Sequence, residues 1–169
     1  MDEARFGLHT MVRRCWTKRG KRPVKTAQIK YKWDYLFGSL EIGGGEAHFC
    51  QFKNVNLVTD AVYLKELVAA YPGHTHVLIR DQAGFHLRDG DPRLPEAVRI
   101  IDLPPYCPEL SACEQLWDII KDGLGNQVFK TIEELRAAMD PILESWWSDA
   151  QRVISLVGRP WMRDEVNAS

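Results

Sequence analysis

The chain of 169 residues has the length of about one domain, and its content of 45% hydrophobic and 27% charged residues is ordinary for a globular protein. No apolar run approaches the length of a membrane span, and no secretory signal opens the chain, so we expect a cytoplasmic protein without a membrane partner. The net charge of −1 excludes no class of partner by itself.

Positive charge is concentrated near the start of the chain. Residues 1–35 hold ten basic and three acidic side chains, a local net charge of +7 that leaves −8 for the rest. Trp16, Tyr31 and Trp33 lie among these basic residues, and such a stretch is typical of binding to a phosphate backbone. A solvated loop of lysines and arginines is the alternative that these residues leave open.

Four runs in the first third of the chain have the composition or the alternation of β-strands. They are residues 6–9, 11–15, 31–42 and 46–52. The third run alternates aromatic with charged side chains, which predicts one face exposed to water, and Gly43–Gly45 allow a hairpin to the fourth. A helix follows, with Thr59 or Asp60 as its predicted N-cap and Tyr71–Gly73 at its end.

Two short apolar runs, Val77–Ile79 and Val98–Leu103, are predicted to be buried strands because turn residues bound each of them. Asp81 follows the first run, and Pro104-Pro105 ends the second. An amphipathic helix comes next, with Glu114 in its first turn. Ligands of open α/β sheets bind beyond the carboxyl ends of strands, so these two carboxylates are candidate ligands of a hard divalent cation.

Structural roles remain open for the same residues. Ser111–Glu114 fits a capping box, and Asp81 fits the opening of a turn. Cys107 and Cys113 with His86 are a weaker candidate for a zinc site, because their spacing matches no common zinc pattern. The chain has no CxxC pair, so reduced thiols are expected.

Three helices are predicted in the last third of the chain. Thr131–Glu134 fits a capping box that opens the first, and Asp140-Pro141 suit the N-cap and first position of the second, over 142–147. The third covers Val153–Val157 and ends at Gly158. Strands followed by helices in this order predict a mixed sheet flanked by helices.

Three motifs follow one another along the chain: Asp2-Glu-Ala-Arg-Phe-Gly7, Asp81-Gln-Ala-Gly-Phe-His86 and Leu103-Pro-Pro-Tyr-Cys-Pro-Glu-Leu-Ser-Ala-Cys-Glu-Gln-Leu-Trp117. They resemble the three acid motifs of DDE transposases from the insertion-sequence branch of the mariner superfamily. Residues 18–23 resemble the basic link that follows the first motif there. Glu114 lies 33 positions after Asp81, within the range of that family.

The resemblance implies a ribonuclease-H-like α/β fold, with a mixed β-sheet flanked by α-helices, as a single catalytic domain over residues 1–169. It also implies that the first strand is truncated ahead of Asp2 and that the N-terminal helix-turn-helix region of the family is absent. Gln82 stands where the family usually has asparagine, and Ser111-Ala112-Cys113 replace its usual Asn-Pro and small apolar residue.

The resemblance further implies that Asp2, Asp81 and Glu114 are catalytic and hold two Mg²⁺ or Mn²⁺ ions. The expected reaction is cleavage of DNA phosphodiesters followed by strand transfer, which is DNA transposition. His86 is expected to order the loop after Asp81 or to approach the scissile phosphate. Contacts to the DNA backbone are expected from six basic residues: Arg13, Arg14, Lys18, Arg19, Lys21 and Arg22.

Three functions remain open at this point: an active transposase, an inactive remnant that binds DNA or assembles with partners, and a cellular nuclease of the same fold. The expected partners are transposon ends, target DNA and a second copy of the chain, because transposition joins two DNA ends. Trp117 is expected to be core packing. Trp146, Trp147 and Trp161 are expected in the core or at an interface.

Overall fold

The structure is a computed structural model that describes residues 1–105, 107 and 110–157. Its elements, in chain order, are β1 (Asp2–Gly7), β2 (Trp33–Leu40), β3 (Ala47–Phe52), α1 (Leu57–Ala70), β4 (His76–Arg80), β5 (Val98–Asp102), α2 (Glu114–Gly123), α3 (Ile132–Trp147) and α4 (Ala150–Val157). Part of the third motif, the predicted helix end at Gly158, and Trp161 lie outside the described residues. Every helix in the described part is too short or too polar to cross a bilayer.

The strands form an antiparallel meander and a parallel pair. β1, β2 and β3 pair in sequence, with Asp2 opposite Gly38, and β4 pairs in parallel with β5. The α-amino group of Met1 donates a 3.0 Å hydrogen bond to the carbonyl of Ile79. The start of β1 therefore lies beside the end of β4, which brings Asp2 near the segment that carries Asp81.

Helices cover both faces of the meander. α1 packs on one face in a core cluster that includes Phe37, Tyr63, Leu64, Leu78 and Val98. α2, α3 and α4 cover the other face, where the core includes Leu36, Trp117, Ile120, Leu143 and Val153. Because successive residues of a strand point to opposite faces, Asp2 points toward α2 while Glu3 points toward α1.

The predicted helix break at Asp140-Pro141 is wrong, since α3 runs without interruption and holds Pro141 inside it. A proline in a helix interior removes a backbone donor and costs about 3 kcal/mol. The buried side chains of α3 share one face on both sides of this proline: Leu135, Met139, Leu143 and Trp146. Burial of a single continuous apolar face outweighs the local cost.

The start of α1 also differs from its prediction. Asn56, rather than Thr59 or Asp60, is the N-cap, and its side chain accepts hydrogen bonds from two backbone N–H groups of the first turn. An N-cap side chain satisfies donors that the helix leaves free, so α1 begins earlier than predicted. Asp60 is fully buried and pairs with Arg80.

The prediction that one face of the strand within residues 31–42, here β2, is exposed to water is wrong as well. Asp34 is buried, and its carboxylate accepts two hydrogen bonds, of 2.7 and 2.6 Å, from the guanidinium of Arg136 on α3. The alternating pattern predicted that the charge of Asp34 faces solvent. Instead, α3 covers this face and its Arg136 neutralises that charge.

Residues 8–32 form a long connection between β1 and β2, here called the basic arm, without strand or helix. The prediction of a strand over 11–15 is therefore wrong. Near its ends the arm is closed by backbone hydrogen bonds from Leu8 to Lys32 and from Thr10 to Gln28. Its middle is too polar to bury in a sheet and stays exposed.

Candidate active site

A cleft of about 440 Å³ receives all three predicted metal ligands. Asp2 enters it from the start of β1, Asp81 from the residue after β4, and Glu114 from the first residue of α2. Pro104 and Ser111 are also part of the wall. Three carboxylates from three separate motifs thus line one cavity, between the start of β1, the end of β4 and the start of α2.

The carboxylate of Asp2 is held by three donors. Trp117 Nε1 donates to Oδ2 at 2.9 Å, Ser111 Oγ donates to Oδ2 at 3.4 Å, and the backbone N–H of Glu3 donates to Oδ1 at 2.8 Å. Trp117 is buried in the core as predicted, but its role as a donor was missed. The signal was present, because Trp117 follows Glu114 by three residues and so lies on the same side of α2.

Glu114 is the first residue of α2 and experiences the charge of Asp2. Burial raises the pKa of Glu114, the negative charge of Asp2 raises it further, and Lys121 opposes the shift. The predicted capping box is wrong, since the N-cap residue Cys113 makes no side-chain cap and Ser111 donates to Asp2 instead. Two carboxylates that repel each other in this way form a site that favours a cation.

Asp81 both stabilises a turn and lines the cleft. Its Oδ1 accepts a 3.0 Å hydrogen bond from the backbone N–H of Ala83, so the predicted turn is present. The side chain is 64% exposed and lines the cleft. Its backbone carbonyl lies 3.0 Å from Nδ1 of His86, and its Oδ1 lies 3.2 Å from the same nitrogen.

Glu3 and His86 form a buried pair, here called the Glu3–His86 bridge. Nε2 of His86 lies 3.1 and 3.0 Å from the two carboxylate oxygens of Glu3. Burial lowers the pKa of His86, but the hydrogen bond and charge of Glu3 more than offset it, so the pKa is raised. With acceptors facing both ring nitrogens, an imidazolium that donates from each fits this environment. Burial also raises the pKa of Glu3, against the effect of His86.

A second buried ion pair lies next to this bridge. Nη1 of Arg80 donates to both carboxylate oxygens of Asp60 at 2.9 and 3.1 Å, and both side chains are fully buried. The pair also holds the backbone of Leu87, whose N–H donates to Asp60 at 2.7 Å and whose carbonyl accepts from Arg80 at 2.6 Å.

Among the described residues, Glu3, Asp60 and His86 are the one set of three whose ligand atoms lie within 4.8 Å of one another, whereas the carboxylates of Asp2, Asp81 and Glu114 line one cleft but are spaced more widely. The guanidinium of Arg80 already neutralises Asp60 there, and His86 is engaged at both nitrogens. No cysteine takes part, and Cys113 Sγ donates to the carbonyl of Gly38. The structure therefore gives no support to the predicted zinc alternative.

Most of the predicted DNA-binding residues lie on the exposed part of the basic arm. They are Arg14, Lys18, Arg19, Lys21 and Arg22. Trp16 is fully exposed between them. Arg13 differs, because its guanidinium lies 3.3 Å from Asp118 and 3.0 Å from Asp122 on α2.

Asn126 fastens the arm to the loop after α2. Its Oδ1 accepts from the backbone N–H of Arg13 at 3.0 Å, and its Nδ2 donates to the carbonyl of Arg13 at 2.9 Å. The backbone N–H of Asn126 donates to the carbonyl of Met11 at 2.8 Å. Asn126 has a φ of 58°, a conformation that asparagine tolerates better than most residues.

Comparison with known proteins gives a family and a sequence relative. A family model described as DDE superfamily endonuclease matches residues 1–136. The uncharacterized protein y4pE/y4sA of Sinorhizobium fredii is 28% identical over 139 residues, which cover 76% of this chain and 96% of that protein.

Solved structures of Mos1 transposase have a similar fold. The paired-end complex with the left transposon end gives a TM-score of 0.64 at 16% identity, covering 95% of this chain and 52% of that chain. The strand transfer complex gives 0.63 at 16% identity, with 95% and 51% covered. A mariner paired-end complex with Mn gives 0.56 at 15% identity, with 92% and 52% covered. The chain spans about half the length of these proteins, and the predicted ribonuclease-H-like α/β fold is confirmed.

Proposed function

The chain belongs to the DDE superfamily endonucleases, and from that premise we propose that it is a DNA transposase catalytic domain, extending over residues 1–169. It would cut DNA phosphodiesters and transfer the cut strand to a target. The observation that carries this proposal is that Asp2, Asp81 and Glu114, from three separate motifs, line one cleft.

Membership of the superfamily implies the use of a divalent metal, and the donor set suits one. Three carboxylates without a soft ligand match hard cations such as Mg²⁺ and Mn²⁺, which keep waters for substrate phosphates. Burial and, after it, the negative charge of Asp2 raise the pKa of Glu114, and a bound cation would relieve the repulsion between the two carboxylates. We propose two ions held by Asp2, Asp81 and Glu114, and one of the similar Mos1 structures carries Mn.

The metal, when bound, would activate the attacking hydroxyl and stabilise the leaving oxygen. The residues of this chain hold its ligands in place. Trp117 and Ser111 orient Asp2, and His86 orders the loop that follows Asp81. Each of these contacts reduces the freedom of a carboxylate that must meet a metal at a fixed distance.

We propose DNA as the partner, in the form of transposon ends and target. The similar Mos1 structures include a complex with a transposon end. The exposed lysines and arginines of the basic arm supply the positive charge that phosphate binding requires, with Trp16 beside them. We further propose a homodimer, because two DNA ends must be joined. The proposed location is the cytoplasm, and the proposed substrate is an insertion sequence.

Calorimetric titration of Mn²⁺, paired with nicking of a supercoiled plasmid in the same buffer, tests the function. We expect the wild type to bind and nick, Asp81→Ala to lose both, and Asp89→Asn to behave as wild type, since Asp89 is an exposed acid outside the cleft. Analysis of joined products separates a transposase from a nuclease that only cleaves. A wild type without metal binding would overturn the proposal in favour of a DNA-binding or assembly module.

A further inference from the structure

Each end of the Glu3–His86 bridge lies next to a proposed metal ligand. Glu3 follows Asp2 on β1, and strand alternation turns its side chain to the opposite face, where it meets His86. On the other side, Nδ1 of His86 lies 3.0 Å from the carbonyl and 3.2 Å from the carboxylate of Asp81. One imidazole thus contacts two of the three segments that supply acids to the cleft, those of Asp2 and Asp81.

Backbone hydrogen bonds contribute little to holding these two segments together. Among the described strands, β1 pairs with β2 and β4 pairs with β5, and no ladder joins β1 to β4. The hydrogen bond from Met1 to Ile79 is the backbone contact recorded between these two segments. A side-chain bridge is therefore in a position to set their separation.

The buried Asp60–Arg80 ion pair holds the His86 end of the bridge in place. Asp60 and Arg80 hold both the N–H and the carbonyl of Leu87, the residue next to His86. Arg80 also precedes Asp81 directly in the chain. Because this ion pair is fully buried, it cannot rearrange without leaving a charge unpaired, and the position of His86 is fixed.

A catalytic role for His86 fits the geometry poorly. The side chain is only 2% exposed, and both ring nitrogens already face protein oxygens. A general acid or base needs a nitrogen within reach of the substrate, and none is free here.

We propose that Glu3 and His86 are positioning residues, whose bridge fixes the separation of Asp2 and Asp81 and thereby sets the metal affinity of the site. This inference rests on the proposed function. It assigns to Glu3 a role that its place beside the first acid does not by itself suggest.

Four variants test the proposal. His86→Asn keeps an amide near the position of Nδ1, so it retains the contact to Asp81 but not to Glu3. His86→Gln places its amide near the position of Nε2 and does the reverse. Glu3→Ala removes the bridge, whereas Glu3→Gln keeps the shape of the side chain and an acceptor oxygen. Asp89→Asn is the control.

The measurements are Mn²⁺ affinity by calorimetry, the rate of plasmid nicking, and urea unfolding. We expect Glu3→Ala and both His86 variants to bind Mn²⁺ about 10–100-fold more weakly, the range typical for residues that orient metal ligands. Glu3→Gln should rescue affinity to within about threefold of wild type. The His86 variants keep the test usable if Glu3→Ala does not fold.

The outcomes are distinguishable. Variants that lose stability but bind Mn²⁺ like the wild type would show a merely structural role and overturn the bridge proposal alone. A wild type that binds no Mn²⁺ would overturn the proposed function and this inference together. Weaker binding at unchanged unfolding midpoints, with rescue by Glu3→Gln, would establish it.

Discussion

Trp117 Nε1 donates a 2.9 Å hydrogen bond to Oδ2 of Asp2, across 115 positions of the chain. The indole is buried between β2 and the helices, yet its one polar atom reaches a carboxylate that lines the cleft. Large aromatic side chains with a polar edge suit such a place, since the ring packs while the N–H finds an acceptor. The core and the candidate active site therefore share a residue.

Trp117→Phe should weaken metal binding as well as the fold. The substitution keeps an aromatic ring but removes the donor to a carboxylate, a hydrogen bond worth about 1.5–3 kcal/mol. We expect a lower free energy of unfolding in urea and Mn²⁺ affinity reduced about tenfold. Trp146→Phe is the matched control, because Trp146 is buried and its Nε1 has no partner among the described residues. That control should lose stability and leave Mn²⁺ affinity unchanged.

Gly38→Ala should displace the ring of Trp117, which donates the hydrogen bond to Asp2. An added Cβ would lie 2.5 Å from Cη2 of Trp117 and 3.1 Å from Phe49, and a buried ring has little room to retreat. We expect a loss of about 1–3 kcal/mol in unfolding free energy. Gly43→Ala, where an added Cβ meets nothing, should stay within about 0.5 kcal/mol of wild type. Equal stability of the two variants would contradict the prediction.

Asp60→Leu should be among the most damaging single changes, because it leaves the guanidinium of Arg80 buried without its partner. Breaking a buried pair from one side costs about 3–5 kcal/mol. In the double variant Asp60→Leu with Arg80→Met no charge is left unpaired, so part of this loss should be recovered. A double-mutant cycle in urea measures the coupling, and purely additive losses would sink the idea.

Asn126→Gly should loosen the basic arm while sparing the loop backbone. Glycine accepts the positive φ of this position but cannot bond the N–H and carbonyl of Arg13. We expect faster limited trypsin cleavage within the arm and a stability change of about 1 kcal/mol. Gln127→Ala, at the neighbouring position, should leave the cleavage rate at the wild-type level.

Neutralising the arm should weaken DNA binding in a manner that depends on salt. Replacing Lys18, Arg19, Lys21 and Arg22 by serine removes four exposed charges. Each lost phosphate contact should reduce the slope of log affinity against log salt by about 0.9, and thus by about 3–4 if all four make contact. The same replacement at the exposed residues Lys53 and Lys65 is the control. An unchanged slope in the arm variant would argue against DNA contact there.

The sequence predicted the elements and the cleft better than it predicted the buried charges. Most of the strands, the N-cap of α3 and the candidate acids Asp81 and Glu114 follow from local patterns, whereas Asp2 was named from the resemblance of its motif to the transposase family. Asp34 and Asp60 looked like surface or capping residues, because their partners Arg136 and Arg80 are 102 and 20 positions away. The helix break predicted at Pro141 was wrong for a similar reason, because α3 is kept continuous by packing against parts of the chain that are distant in sequence. Local rules fail where a distant partner decides.

The buried Asp60–Arg80 pair also constrains how the domain can assemble. Burying either charge alone would carry a large desolvation cost, so the packing of α1 against β4 buries the two charges together. The loop that carries His86 is anchored to that pair through Leu87, so its position depends on the pair being formed. A chain in which this pair has not formed would therefore lack the anchor that holds His86 against Asp81, and with it part of the geometry of the cleft.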